Sequence, residues 1–172
     1  PASNDAGCSI GSVINHRVKK ELSIDSFSLK NPYLGRNYDN ESIKQAFVNL
    51  NLPIPKKLDF KEIINLTTSA LIEKKIIAWF QGRSEFGPRA LGNRSFLADP
   101  RDDKIRDIIN DKIKKRELFR PFAPSILEEH VHDFFEIDHE SPYMSLIAKV
   151  KENKKNLIPA VVHIDSTSRI HT

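Results

Sequence analysis

The sequence has 172 residues, 39% hydrophobic and 29% charged, which suits one ordinary domain with a core, or one and a small piece. A single cysteine, Cys8, excludes an internal disulfide framework and a multi-cysteine zinc site, and it fits a reducing, cytoplasmic setting. The net charge of +4 names no partner by itself, and the longest aliphatic-aromatic run, residues 76–80, is five residues against the roughly 20 of a membrane helix.

Ile10, Val13, Ile14 and Val18 fall at helical spacing after a turn at Asn4-Asp5-Ala6-Gly7. Residues 21–40 lose the pattern and contain Asn31-Pro32, Gly35 and Asn37, which reads as a linker and domain boundary. Ile43, Ala46, Phe47 and Leu50 predict a short helix, capped by Asn40 and stopped by Pro53 and Pro55. Asp59 and Glu62 form a capping-box pattern opening a helix through Leu71, with Lys74 and Lys75 at its end. Residues 76–80 predict a buried strand, followed by a glycine-rich segment over 82–92.

Asp102 or Asp103 is expected to cap a helix whose apolar face is Ile105, Ile108, Ile109 and Ile113. Leu127, Val131, Phe134 and Phe135 predict another helix, with Ser125 and Glu128 as its capping box. Strands are expected at 143–150 and 158–162, around a polar turn at 151–156. Helices alternating with short strands predict an α/β or α+β domain. The chain opens at Pro1 with no Met before Met144, so a fragment or processed piece is expected.

Of the 27 lysines and arginines, 11 lie within residues 83–120, together with seven of the 23 acidic residues. The remaining 16 and 16 cancel, so the whole excess of +4 resides in that stretch. Charge concentrated this way predicts an anion site. At its start, Gly82-Arg83-Ser84-Glu85-Phe86-Gly87-Pro88-Arg89-Ala90-Leu91-Gly92-Asn93-Arg94-Ser95 sets glycine backbone beside three guanidinium groups. Glycine lets amides approach a ligand oxygen, and arginine offers a planar fork for phosphate or carboxylate. The competing reading pairs these arginines with Glu85, Asp99 and Asp102 on a solvated surface. Neither a Walker loop nor a dinucleotide Gly-x-Gly-x-x-Gly turn is present. His130 and His132 would point apart on a helix, so no shared metal is expected there. No base stands at useful spacing from Cys8 or from Ser9 and Ser12, and no covalent nucleophile is assigned.

Residues 82–101 resemble the signature of the NodU/CmcH/TobZ-type O-carbamoyltransferases. Asn31-Pro32-Tyr33-Leu34-Gly35 resembles that family's inter-domain segment, and residues 112–125 resemble its second basic motif. Ser141-Pro142-Tyr143-Met144 and residues 158–165 also agree in order. The resemblance implies a parent with an N-terminal actin-like ATPase-type domain and a C-terminal YrdC-like domain, a twisted mixed sheet with flanking helices. Residues 1–30 would be the tail of the first domain and its linker, and 31–172 the second domain, incomplete at its C-terminus. It further implies that carbamoyl phosphate and ATP, with Mg, give carbamoyl-adenylate. The carbamoyl group then passes to the hydroxyl of a small-molecule acceptor in the N-terminal domain.

By resemblance, Arg89, Lys114 and Arg120 are catalytic, while Arg83, Gly87, Asn93, Arg94 and Arg116 bind substrate or nucleotide. Asp5 matches a ligand of a divalent metal, with iron as the candidate, whose histidine pair lies outside this chain. From the residues alone Asp5 reads as a turn or cap residue. His163, Asp165 and Arg169 fall in the family's His-x-Asp-Gly-Thr-x-Arg stretch, where this chain has Ser166 for glycine. That replacement is costly if φ is positive there. No membrane partner is expected and nucleic acid is disfavoured. The alternative is a basic YrdC-like RNA- or nucleotide-binding module without catalysis, which steep salt dependence would reveal. The isolated piece is expected to be inactive in full transfer.

Overall fold

The computed structural model describes residues 2, 4–24 and 31–172. The linker expected over 21–40, and with it the end of the 1–30 segment, lies partly outside the described residues. The architecture is α+β, and the chain divides into two compact units. One comprises residues 1–68 with 78–95, the other 69–77 with 96–172.

The first helix, α1 (Asp5–Lys19), starts earlier than the spacing predicts. Asn4 is its extended cap residue, and the Gly7 N–H reaches Asn4 O at 2.8 Å. The expected turn is therefore the first helical turn, where Asp5 opposes the positive end of the helix dipole. In α2 (Asn40–Asn49) the cap is Asp39 rather than Asn40, its carboxylate accepting from Ser42 N at 2.7 Å. Asp59 and Glu62 form the predicted reciprocal box, at 2.8 and 3.0 Å, in front of α3 (Phe60–Ile72). Two short strands, β1 (Ile77–Phe80) and the unforeseen β2 (Arg94–Leu97), bond to each other.

In the second unit α4 (Ile105–Ile108) continues into a π-helical stretch, Ile109–Lys114. Ile105 and Ile109 are buried and Ile113 packs beside them, whereas Ile108 is 37% exposed. The buried ridge thus keeps a four-residue step, and the expected fourth isoleucine faces outward. The predicted helix over Leu127–Phe135 is also shorter. A 3-10 turn, Glu128–His130, leads into α5 (Val131–Phe134), and Phe135 already begins β3 (Phe135–Glu136). Ser125 does not cap it; its hydroxyl meets His171 Nδ1 at 2.7 Å.

β4 (Ile147–Val150) lies between β3 and β5 (Thr167–Arg169), both antiparallel to it. Alternation along β4 turns Ala148 and Val150 inward and Ile147 and Lys149 outward. The strand expected at 158–162 is instead a 3-10 turn, Pro159–Val161. Pro159 has no N–H for a ladder, and Ala160 N bonds Pro100 O at 3.1 Å. Val131, Phe135, Val150, Val161 and Ile170 form the main core, and Phe122 packs against both it and the smaller cluster around Ile105 and Ile109.

The β4–β5 connection carries a strained residue: Ser166 has φ +66°. A left-handed non-glycine residue costs about 1–2 kcal/mol, partly offset by the extra freedom glycine has when unfolded. Ser166→Gly should therefore stabilise the chain by about 0.5–1 kcal/mol, read as a higher thermal midpoint; a lower midpoint would show that the hydroxyl matters more than the backbone. Among the described residues, no helix is long and apolar enough to cross a membrane.

Candidate functional site

Residues 82–95 are closed from inside by a carboxylate. Glu85 Oε1 accepts the backbone N–H of Leu91, Asn93 and Arg94 at 2.7, 2.8 and 3.1 Å. Burial raises its pKa, but the N–H groups of Leu91, Glu85 itself, Asn93 and Arg94 outweigh burial and hold the carboxyl below its ordinary range. These amides therefore face an internal anion rather than a ligand oxygen. Gly92 N is likewise taken by Ser95 Oγ at 3.1 Å.

Asn93, 9% exposed, is the second tie. Its Nδ2 donates to Arg83 O at 2.7 Å and its Oδ1 accepts from Gln81 Nε2 at 3.0 Å. Arg94 donates to the carbonyls of Gln81, Asn93 and Gly82 at 2.6, 2.9 and 3.1 Å. Its guanidinium also lies 3.4 Å above the Phe80 ring. Arg83 reaches Leu34 O at 3.3 Å. Gly87 adopts φ +120°, a region closed to other residues at low cost. Beyond it Arg89 is exposed and makes no hydrogen bond or ion pair with any described residue.

The segment read as inter-domain packs onto this loop. Gly35 N bonds Ser84 O at 2.9 Å, Ser84 N bonds Arg36 O at 3.3 Å, and Tyr33 Oη donates to Leu91 O at 2.9 Å. A Cβ on Gly35 would stand 1.9 Å from Ser84 Oγ and 2.9 Å from Ser84 O. Gly35→Ala should separate the two strands of chain and destabilise the first unit by about 1–3 kcal/mol. Chemical denaturation measures this, and an unchanged midpoint would mean that Ser84 simply gives way.

The second basic motif turns around Asn110, which is fully buried. Its Nδ2 donates to Leu118 O at 3.2 Å and Arg120 O at 2.9 Å, and its Oδ1 accepts from Arg116 Nε at 2.8 Å. Lys115, left-handed at φ +49°, reverses the chain so that Arg116 N also meets Asn110 O at 3.0 Å. The Arg116 guanidinium lies 5.0 Å from the Phe122 ring. Lys114 is exposed, with its ammonium 4.8 Å from the Phe96 ring. Arg120 pairs with Glu117 at 2.8 Å, with both side chains about half exposed.

The surface-pairing alternative is not what forms. Asp99 bonds Arg101, Asp102 pairs with Lys74 at 3.4 Å, and Glu85 is occupied by amides. Each motif thus has an organiser that charge counting passes over. A carboxylate between cations and an asparagine beside a buried isoleucine ridge were the available signals. His163 Nδ1 lies 3.3 Å from Asp165 Oδ1, which also accepts the Thr167 hydroxyl and amide. His130 contacts Asp133 at 3.0 Å, while His132 O accepts from Lys151. Asp5 is exposed, and no group of three or more His, Cys, Asp or Glu able to hold a metal occurs among the described residues.

The arginine loop from residue 82 and the second basic turn fall within one stretch that matches a known family. Residues 68–172 match the family model described as carbamoyltransferase C-terminus, and the chain belongs to that family. Over its whole length it is 40% identical to nodulation protein NolNO of Sinorhizobium fredii and covers 26% of that protein. It is 41% identical to nodulation protein NolO of Bradyrhizobium diazoefficiens, covering 32%. With 3'-hydroxymethylcephem-O-carbamoyltransferase of Amycolatopsis lactamdurans the identity is 34%, again over the whole chain and 31% of the relative. The chain therefore spans about a quarter to a third of the length of these relatives.

Proposed function

We propose that this chain is the phosphate-handling part of an ATP-dependent O-carbamoyltransferase. On this reading carbamoyl phosphate and ATP give carbamoyl-adenylate, and the carbamoyl group passes to an acceptor hydroxyl held by another part of the parent. Residues 1–30 are then the tail of an actin-like domain and residues 31–172 a YrdC-like domain. The observation that carries the reading is Arg89, an exposed guanidinium that bonds to no described residue, on a loop held by Glu85, Asn93 and Arg94.

Atom balance defines the products: joining the carbamoyl group to AMP releases phosphate and pyrophosphate and consumes one water. The difficulty is charge, since two polyanions must meet and pyrophosphate must leave. Fixed cations reduce that barrier by positioning and electrostatic stabilisation. Arg89 is the exposed donor of the first unit; in the second unit Lys114 is exposed, and Arg120 becomes available once its weak surface pair with Glu117 opens. Arg83 and Arg116 support them, while Arg94, Asn93 and Gly87 shape the loop.

When bound, Mg would neutralise part of the charge on the nucleotide phosphates. Asp5 alone does not make a metal centre, so no step is assigned to a metal at that end of the chain. Mass-spectrometric detection of carbamoyl-adenylate, after mixing the parent protein with both substrates and no acceptor, tests the reading. Its absence while transfer to an acceptor proceeds would refute the adenylate route.

A further inference from the structure

We infer that Asn110 is a positioning residue that aims the terminal N–H groups of Arg116 at a substrate phosphate. This inference rests on the carbamoyl-phosphate reading. Asn110 is 0% exposed, and its amide is bonded on three sides within one turn of chain. A buried amide left without partners is costly, so its orientation is determined by these bonds.

Arg116 is half-buried, and its Nε–H is committed to Asn110 Oδ1. That bond and the Phe122 ring constrain the guanidinium plane. What remains is the edge formed by Nη1 and Nη2, two parallel donors with the spacing of two phosphate oxygens. No described residue accepts a hydrogen bond from either terminal nitrogen. The backbone is bent to achieve this arrangement. A six-residue π-helical stretch and a left-handed lysine bring Arg116 back onto Asn110, and such segments recur at functional sites. A merely structural Asn110 would need only its bonds to Leu118 O and Arg120 O.

The test is calorimetric titration of the parent protein with carbamoyl phosphate, and with inorganic phosphate as competitor. Arg116→Lys removes the fork and should weaken binding about tenfold or more, while Arg106→Lys, whose partner is the adjacent Asp107, should leave it unchanged. Asn110→Ser should lose affinity by a similar factor, and the double variant should bind no worse than the weaker single. Losses that multiply in the double variant would make Asn110 a fold residue only and overturn the inference.

Asn110→Asp keeps the acceptor for Arg116 but loses both donors. Retained affinity with a lower thermal midpoint supports positioning through Arg116, and affinity lost in step with the midpoint overturns it. If neither Asn110 variant folds, Arg116→Lys decides, an unchanged affinity being the contrary result. Wild-type parent protein that fails to bind carbamoyl phosphate removes the functional reading itself, and this inference with it. Wild-type binding unaffected by Arg116→Lys removes the inference alone.

Discussion

Glu85→Ala should unmake the 82–95 loop, lowering stability by about 2–4 kcal/mol. Three backbone N–H groups lose a charged acceptor at once, and each such bond contributes about 1.5–3 kcal/mol. Water reaches the half-buried loop and recovers part of that, which sets the total below the simple sum. Glu85→Gln keeps an oxygen in place without the charge and should lose roughly half as much. The pH dependence has a definite sign. Because the folded carboxyl titrates below its ordinary range, its contribution is complete above the unfolded value of about 4.3. It disappears as pH falls through the lower folded value. Thermal unfolding of wild type and Glu85→Gln should therefore differ near neutrality and converge in acid. A gap that stays constant however far the pH is lowered would show that the charge was not what held the loop.

Arg89→Ala should have the opposite profile: catalysis lost, fold intact. The guanidinium bonds to no described residue, so its removal should change stability by no more than about 0.5 kcal/mol. If it stabilises charge during adenylate formation, the rate should drop about 10²–10³-fold. Arg94→Ala provides the contrast. That side chain ties three carbonyls and covers Phe80, so stability should fall with activity. Unfolding curves and single-turnover rates on the same three proteins separate the two arginines. Equal rates for wild type and Arg89→Ala would remove Arg89 from the chemistry.

Local signals in the chain were legible where one interaction decides the outcome. The Asp59–Glu62 box formed as read, and the strand expected over 76–80 forms over 77–80, but with Ala78 and Phe80 exposed instead of buried. The cationic stretch was legible too, since charge counting needs no geometry. Partners distant in sequence were not. Ser125 looks like a cap until His171, 46 residues later, takes its hydroxyl. Residues 158–162 have strand-like composition, but Pro159 and the bond from Ala160 to Pro100 O impose a 3-10 turn. Strands β2 and β5 are only four and three residues long, with register set by neighbours rather than by alternation. In the site, the resemblance made Arg83, Arg89 and Arg94 of the signature ligand candidates. Geometry divides them, assigning Arg94 to the loop and leaving Arg89 exposed, and it brings forward Glu85 and Asn110 as the groups that hold each motif.

If these motifs serve a reaction between carbamoyl phosphate and ATP, pyrophosphate release reports it. Parent protein given ATP and no acceptor should release pyrophosphate only when carbamoyl phosphate is added, with an equal amount of inorganic phosphate. Arg89→Ala should nearly abolish that release. Pyrophosphate formed without carbamoyl phosphate would mean that the motifs do not serve that reaction, and release at the same rate by Arg89→Ala would mean that Arg89 takes no part in it.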